Sequence, residues 1–201
     1  MFLKSPPPLV LASTSIYRRQ LLERLQIPFT CDSPGVDEAP LPDEIPKALV
    51  ARLALAKARA VAARHPDAWI IGSDQVAVLQ ESATATAILG KPGTAVRCVE
   101  QIRRCSGRTL TFVTAVAVLR HDQAAHEFID ESRVTYRRLD AATIERYVAR
   151  ESPLDCAGGF KSEGLGIALC EAIENLDPTA LIGLPLIRLG AVLRLVGFTL
   201  P

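Results

Sequence analysis

The chain has 201 residues, enough for one large domain or one domain with two lobes. Hydrophobic residues make up 49%, so a substantial core is available, and 23 basic against 22 acidic residues leave a net charge of +1. A surface built for the phosphates of long nucleic acid carries a basic excess, so this balance excludes nucleic acid as the expected partner and favours a small ligand or a protein. The five cysteines, Cys31, Cys98, Cys105, Cys156 and Cys170, form no C-x-x-C pair and are odd in number, which disfavours both a zinc site and a secreted disulfide framework. A reducing, cytoplasmic setting is the simple reading, with five buried or semi-buried thiols and none catalytic. No apolar run approaches the roughly 20 residues of a membrane span, and the start, MFLKSPPPLVLAS, is too short and proline-rich for a good signal peptide.

In chain order, PLVLAS (8–13) reads as a short buried strand ending in hydroxyls. The serines that follow are candidate N-caps for a helix whose apolar face holds Leu21, Leu22 and Leu25. Residues 27–46 begin as a short strand and become a proline-rich loop with the acidic pair Asp37 and Glu38. Residues 47–65 form the clearest helix, with Leu49, Leu53, Ala56 and Ala60 at helical spacing and Val50, Ala54 and Val61 on the stripe of Lys57. Residues 68–80 read as an apolar strand interrupted at Gly72-Ser73-Asp74, and 81–93 as a loop or hairpin ending in Gly-Lys-Pro-Gly. A helix over 94–107 stops at glycine, and strands over 108–120 and 126–139 are joined by a polar turn at HDQAA. Asp140 caps a helix with Ile144, Tyr147 and Val148, residues 155–173 run from glycine-rich to strand-like, and a last helix lies near 184–196. The alternation, with two long adjacent strands that look antiparallel, implies an α/β fold with a mixed sheet, and residues 1–201 read as a single domain.

Two arginines, Arg18 and Arg19, stand in the first turn of the first helix, where the helix dipole disfavours cations. An anion bound at that strand–turn–helix junction would offset both, since the guanidinium fork suits phosphate oxygens; the alternative is a solvated face. Lys57 either snorkels or points into a cleft. Asp74 interrupts a run that should be buried, so it is either a carboxylate in need of a partner or a turn residue beside Gly72. Glu38 lies in a loop that proline stiffens, and Lys91 in GKPG is either a turn lysine or a phosphate contact. AGGFKSEGLG (157–166) matches neither a P-loop nor G-x-G-x-x-G, and its glycines read by default as turn-makers. The three histidines show no H-E-x-x-H spacing, and no G-x-S-x-G elbow is present. Basic groups and carboxylates remain, a set suited to a phosphate ester, a divalent cation and activated water.

Taken in order, LASTSIYRRQLLERL, VDE, RLALAKA, IIGSDQV, GKP, GGFKSEGLGI and GLPL resemble the Maf-type nucleotide pyrophosphatases from about Leu9 to Val196. SIYRR, GSDQV and FKSEG resemble the branch that acts on 7-methyl-GTP more than the dTTP/UTP branch. The resemblance implies an elongated mixed β-sheet flanked by helices, two lobes and a central cleft, and by analogy a homodimer. It implies an acid-anhydride hydrolase that cuts a nucleoside triphosphate between its α and β phosphates with magnesium or manganese. The family's proton acceptor falls on Asp74, its phosphate-binding residues on Ser13, Arg18 and Arg19, and its other cleft residues on Glu38, Lys57 and Lys91. Asp74 and Glu38 are the expected metal ligands, either of which alternatively orients the attacking water. The positions tied to base choice are Tyr17, Gln75 and Glu163; a cationic 7-methylguanine would stack on Tyr17, and Glu163 would accept from the guanine N–H edge. Ile16 stands where the family usually has proline, and LQESATATAILGKP (79–92) looks longer than its counterpart. The competing expectations are a pyrophosphatase preferring UTP, CTP or dTTP, and a non-catalytic nucleotide-binding regulator of cell division.

Overall fold

The structure is a computed structural model that describes residues 7–82, 85–121 and 123–201. The reading of residues 1–6 as no signal peptide therefore lies outside the described residues, as do Ala83 and Thr84 of the long segment and Asp122 of the polar turn. No helix among the described residues is long and apolar enough to cross a membrane.

Strands β1 (Leu9–Ala12), β2 (Thr30–Asp32), β3 (Trp69–Gln80), β4 (Thr86–Leu89), β5 (Thr109–Arg120), β6 (His126–Tyr136) and β7 (Cys170–Glu174) form one open sheet. Its order is β2-β1-β3-β5-β6-β7, with β4 also paired on β3. β1 runs parallel to both β2 and β3, whereas β3–β4 and β6–β7 are antiparallel. β5 and β6 are antiparallel too: Thr109 Oγ1 lies 3.0 Å from Thr135 Oγ1, so the start of one strand meets the end of the other. The five residues between them are too few for a parallel crossover. Helices α1 (Ile16–Glu23), α2 (Pro46–Ala62), α3 (Ala95–Cys105), α4 (Ala141–Glu151) and α5 (Leu186–Leu195) complete the mixed α/β fold.

Local chemistry accounts for the helix starts. Ser15, Thr94 and Asp140 side chains accept from the N–H three residues on, and α2 opens on Pro46, whose fixed φ suits a first helical position. The chain groups into two compact units: one comprises residues up to Asp74, Thr114–Asp130 and Gly183–Pro201, the other Gln75–Val113 and Glu131–Ile182. The first buries all of β1, Leu21 and Leu22 of α1, and Leu49, Val50, Leu53, Ala54, Ala58 and Val61 of α2. The second packs Leu79, Ile102, Leu110 and Ile144 around Phe112, Tyr136 and Phe160, with Phe160 centred 5.7 Å from Phe112 and 5.6 Å from Tyr136.

Two sequence expectations change. β3 is not interrupted at Gly72-Ser73-Asp74 but continues through it. Gly72 is a close-approach residue rather than a turn: a Cβ there would strike the Ala54 carbonyl oxygen and lie 2.8 Å from Ala58 N, so α2 rests directly on the strand backbone. The buried stripe of α2 passes through Lys57 itself, between Ala54 and Ala58, while Ala56 and Ala60 are half-buried. Of the two readings of 81–93 the hairpin holds, since β4 pairs back on β3.

Candidate active site

Close packing at Gly72 sets the geometry of the first unit's charged residues. Two residues further along β3, Asp74 points to the same face, towards α2. Lys57, one residue before Ala58 in that contact, extends to it: Nζ lies 2.6 Å from Asp74 Oδ1 and 2.7 Å from Glu38 Oε1. Lys57 is 5% and Asp74 7% exposed. The lysine does not snorkel, because two carboxylates supply the charge it would otherwise seek in water.

Glu38 reaches this pair from an exposed loop, and that loop is fastened. Asp37 Oδ1 accepts the Ala39 N–H at 2.9 Å. Arg52 of α2 donates from Nη2 to Ala39 O at 3.1 Å and grips Glu44 with Nε and Nη2 at 2.6 and 2.7 Å. Of the acidic pair, Asp37 shapes the loop and Glu38 serves the cluster.

Arg18 supplies the second cation. Its Nε donates to the Gly183 carbonyl at 3.0 Å, and the buried Ser73 Oγ donates to the same oxygen at 2.9 Å. Nη1 and Nη2 have no hydrogen-bond or ion-pair partner among the described residues. Burial pushes the guanidinium pKa down, while attraction to Asp74 and then Glu38 opposes that shift. A half-buried cation with an open bidentate edge is a receptor for an oxyanion. Ser13 is buried nearby in sequence, its Oγ accepting the Ser15 N–H at 3.1 Å.

Arg19 is not brought to this cluster. Successive helical residues diverge by about 100°, and Arg19 bonds Glu23 at 3.0 Å on the exposed side of α1. There it lines a surface cavity of 530 Å³ with Ile27, Phe29 and Cys31. Tyr17 is half-buried on the same helix. Gln75, Lys91 and Glu163 belong to the second unit. Gln75 Nε2 donates to the carbonyls of Ala180 and Leu181 at 2.9 and 3.1 Å. Lys91 is exposed in a turn pinned by Gly158 N–H to Gly90 O and Gly93 N–H to Leu154 O. Glu163 is exposed, and its Oε2 accepts from Ser162 Oγ at 3.3 Å. The residues of this cluster that the sequence did not single out are Ser73 and Gly183, both inside motifs (GSDQV and GLPL) whose neighbours drew attention instead.

No group of three or more His, Cys, Asp or Glu side chains able to hold a metal occurs among the described residues. The cluster offers two carboxylates, Asp74 and Glu38, and Asp74 Oδ2 has no other partner among the described residues. Two hard oxygen donors fit magnesium or manganese, which are commonly held by one or two carboxylates with water and phosphate oxygens completing the shell; they do not fit a closed zinc site. The five cysteines are free, with Cys31 exposed. Burial pushes Cys98 and Cys170 up to about 11 and Cys105 up to about 12, so none of these three is a thiolate nucleophile at neutral pH.

Fold and site together define an α/β protein in which a buried Lys57–Asp74 pair is joined by the exposed Glu38 and lies in the field of the half-buried Arg18. The chain belongs to the family described as Maf-like protein, whose profile matches residues 8–196. It is 53% identical over 195 residues to a 7-methyl-GTP pyrophosphatase of Xanthomonas campestris pv. campestris (strain 8004), covering 97% of this chain and 99% of that one. It is 54% identical over 195 residues to a 7-methyl-GTP pyrophosphatase of Aromatoleum aromaticum, covering 96% and 97%. Among solved structures, the Ham1 protein of Staphylococcus aureus is similar with a TM-score of 0.45 at 13% identity, covering 65% of this chain and 72% of that one.

Proposed function

We propose that this chain is a metal-dependent nucleoside triphosphate pyrophosphatase that hydrolyses 7-methyl-GTP to 7-methyl-GMP and diphosphate. The observation that carries the reading is the open Nη1/Nη2 edge of the half-buried Arg18, in the field of Asp74 and Glu38. The near-full-length similarity to 7-methyl-GTP pyrophosphatases supports the choice of substrate.

In this reading Arg18 grips non-bridging phosphate oxygens of the triphosphate through a charge-assisted fork. Lys57 holds Asp74 by one oxygen, at 2.6 Å, so that the other faces the reacting water in a fixed orientation. The water oxygen bonds to the α phosphorus, its proton passes to Asp74, and the bond from the α phosphorus to the α–β bridging oxygen breaks, releasing diphosphate. Magnesium or manganese, held by Asp74 and Glu38 when bound, neutralises phosphate charge and acidifies water. Base choice is assigned to Tyr17, Gln75 and Glu163, and Lys91 to the phosphates.

The test is diphosphate release from 7-methyl-GTP, GTP, UTP, CTP, dTTP and ATP with magnesium or manganese, for wild type and Asp74→Asn in parallel. Release favouring 7-methyl-GTP, falling about 10²- to 10⁴-fold in the variant, is expected. Preference for a pyrimidine nucleotide would overturn the substrate and the base-reading residues. Near-normal turnover by Asp74→Asn would remove Asp74 from the chemistry.

A further inference from the structure

We infer that Ser73 and the Gly183 carbonyl are a positioning device for Arg18, setting the angle at which its guanidinium meets the phosphates. The inference rests on the reading of Arg18 as a triphosphate-binding residue. The Ser73 hydroxyl is fully buried and spent on the Gly183 carbonyl, and that carbonyl is spent on Ser73 and Arg18, so both act through the arginine.

A carbonyl oxygen has two lone pairs, and here both are used: Arg18 Nε at 3.0 Å and Ser73 Oγ at 2.9 Å. Ser73 is fully buried, at 0% exposure, on the most constrained part of β3. Its own hydroxyl has no competing donor role, so the Gly183 carbonyl is held in one orientation. The carbonyl in turn fixes Nε, and because the guanidinium is planar, fixing Nε fixes the plane of Nη1 and Nη2. Four N–H donors remain on Nη1 and Nη2, and one from each forms the outer edge that binds an oxyanion in a fork.

Residue 183 must be glycine for this to work. Its φ is +117°, a conformation L side chains rarely adopt, and a Cβ would stand 3.3 Å from Arg18 Nε. Adjacent residues of one strand thus place both halves of the chemistry. Asp74 faces α2 and Lys57, while Ser73 on the opposite face secures the turn that orients Arg18. A long arginine side chain would otherwise sample many rotamers, and losing that freedom before binding removes a cost from the bound state.

The test is a double-mutant cycle on 7-methyl-GTP turnover: wild type, Ser73→Ala, Arg18→Ala and the double variant. Ser73→Ala is expected to raise KM and lower kcat/KM by about 3- to 10-fold in the wild-type background, the loss of one hydrogen bond. In the Arg18→Ala background the same substitution is expected to cost less than about 2-fold, because its effect is transmitted through Arg18. Equal losses in both backgrounds would overturn the inference and leave Ser73 as a packing residue. Gly183→Ala is the second variant, expected to lose more than Ser73→Ala with Arg18 present and to lose much less without it; an unchanged loss again overturns the device. If wild type turns over no nucleotide, the reading of function fails separately, and the cycle is measured by calorimetry of inorganic triphosphate binding. Coupling between Ser73 and Arg18 there supports the device, and independence or absence of binding overturns it.

Discussion

Lys57 and Asp74 are poor candidates for stability and good ones for function. Burying an ion pair 2.6 Å apart costs desolvation on both sides that the Coulomb attraction only roughly offsets. Apolar residues would fill the same space at less cost, so on the proposed function the pair's value lies in holding the Asp74 carboxylate in one orientation. The residue that makes the pair possible is Gly72. Replacing its hydrogen by a methyl group would drive it into the Ala54 carbonyl and the Ala58 amide, both backbone groups of α2 that cannot rotate aside. Gly72→Ala is expected to lower unfolding stability by about 1–3 kcal/mol in urea titration. It is also expected to lower kcat under conditions where the variant remains folded, because α2 can only accommodate the methyl by carrying Lys57 away from Asp74. Wild-type stability would mean that the helix backbone yields without cost and that Gly72 does not set the spacing.

α2 carries Lys57, and acidic side chains secure the helix near both ends. Glu44, in the loop before it, takes two hydrogen bonds from Arg52 and one from the Leu41 N–H at 3.0 Å, which hold its pKa down to about 2 from 4.5. Asp32, at the end of β2, accepts from Arg64 Nε at 3.0 Å and lies 2.9 Å from His65 Nε2, beyond the C-terminal end of α2, and is held at about 2 from 3.8. Both folded-state values are depressed, so the stabilisation is complete above the unfolded values and is lost as pH falls from about 4.5 towards 2. Wild type is expected to hold its denaturation midpoint from pH 6 to about 4.5 and to lose it progressively from there towards pH 3, and an Asp32→Asn/Glu44→Gln variant to start lower and lose less. Parallel pH profiles would show that these latches add nothing. The sequence reveals α2 through its periodicity but not its orientation. Leu49 and Leu53 are buried together with the set around Lys57, while Ala56 and Ala60 of the same spacing are half-buried, a rotation fixed by packing against Gly72. For the same reason Arg18 and Arg19 look equivalent in sequence, and the rotation of α1 separates them, one towards Gly183 and the other towards Glu23. A strand break at Gly72 is predicted because glycine usually marks a turn, whereas here it marks a helix crossing. The role of the Gly183 carbonyl leaves no trace in residue type, since every residue has a carbonyl.

Across the whole chain, the positive and negative charges nearly cancel, at +1 overall, yet the site concentrates two cations beside two carboxylates drawn from distant positions. Arg18, Glu38, Lys57, Asp74 and Gly183 come together only in the folded chain, Arg18 lying 165 positions before the carbonyl that anchors it. An unfolded chain therefore has no such receptor, and a ligand that occupies it stabilises the native state by mass action. Asp74→Asn, which keeps the size of the side chain while removing its charge, is the variant in which this can be read without turnover. At 100 times the dissociation constant of 7-methyl-GTP the stabilisation is about 2.7 kcal/mol, which for a chain of this length raises the melting temperature by about 5–10 °C. On the proposed function the ligand's negative charge is shared between Arg18 and a cation for which the Asp74→Asn substitution leaves Glu38 and the phosphates as the charged ligands, so chelating magnesium is expected to remove part of the rise. Arg18→Ala, added to Asp74→Asn, is expected to remove most of what remains. A rise in melting temperature that is indifferent to chelator and to Arg18 would mean that the nucleotide binds elsewhere on the molecule, and both the metal and the guanidinium would lose their assigned part in holding the triphosphate.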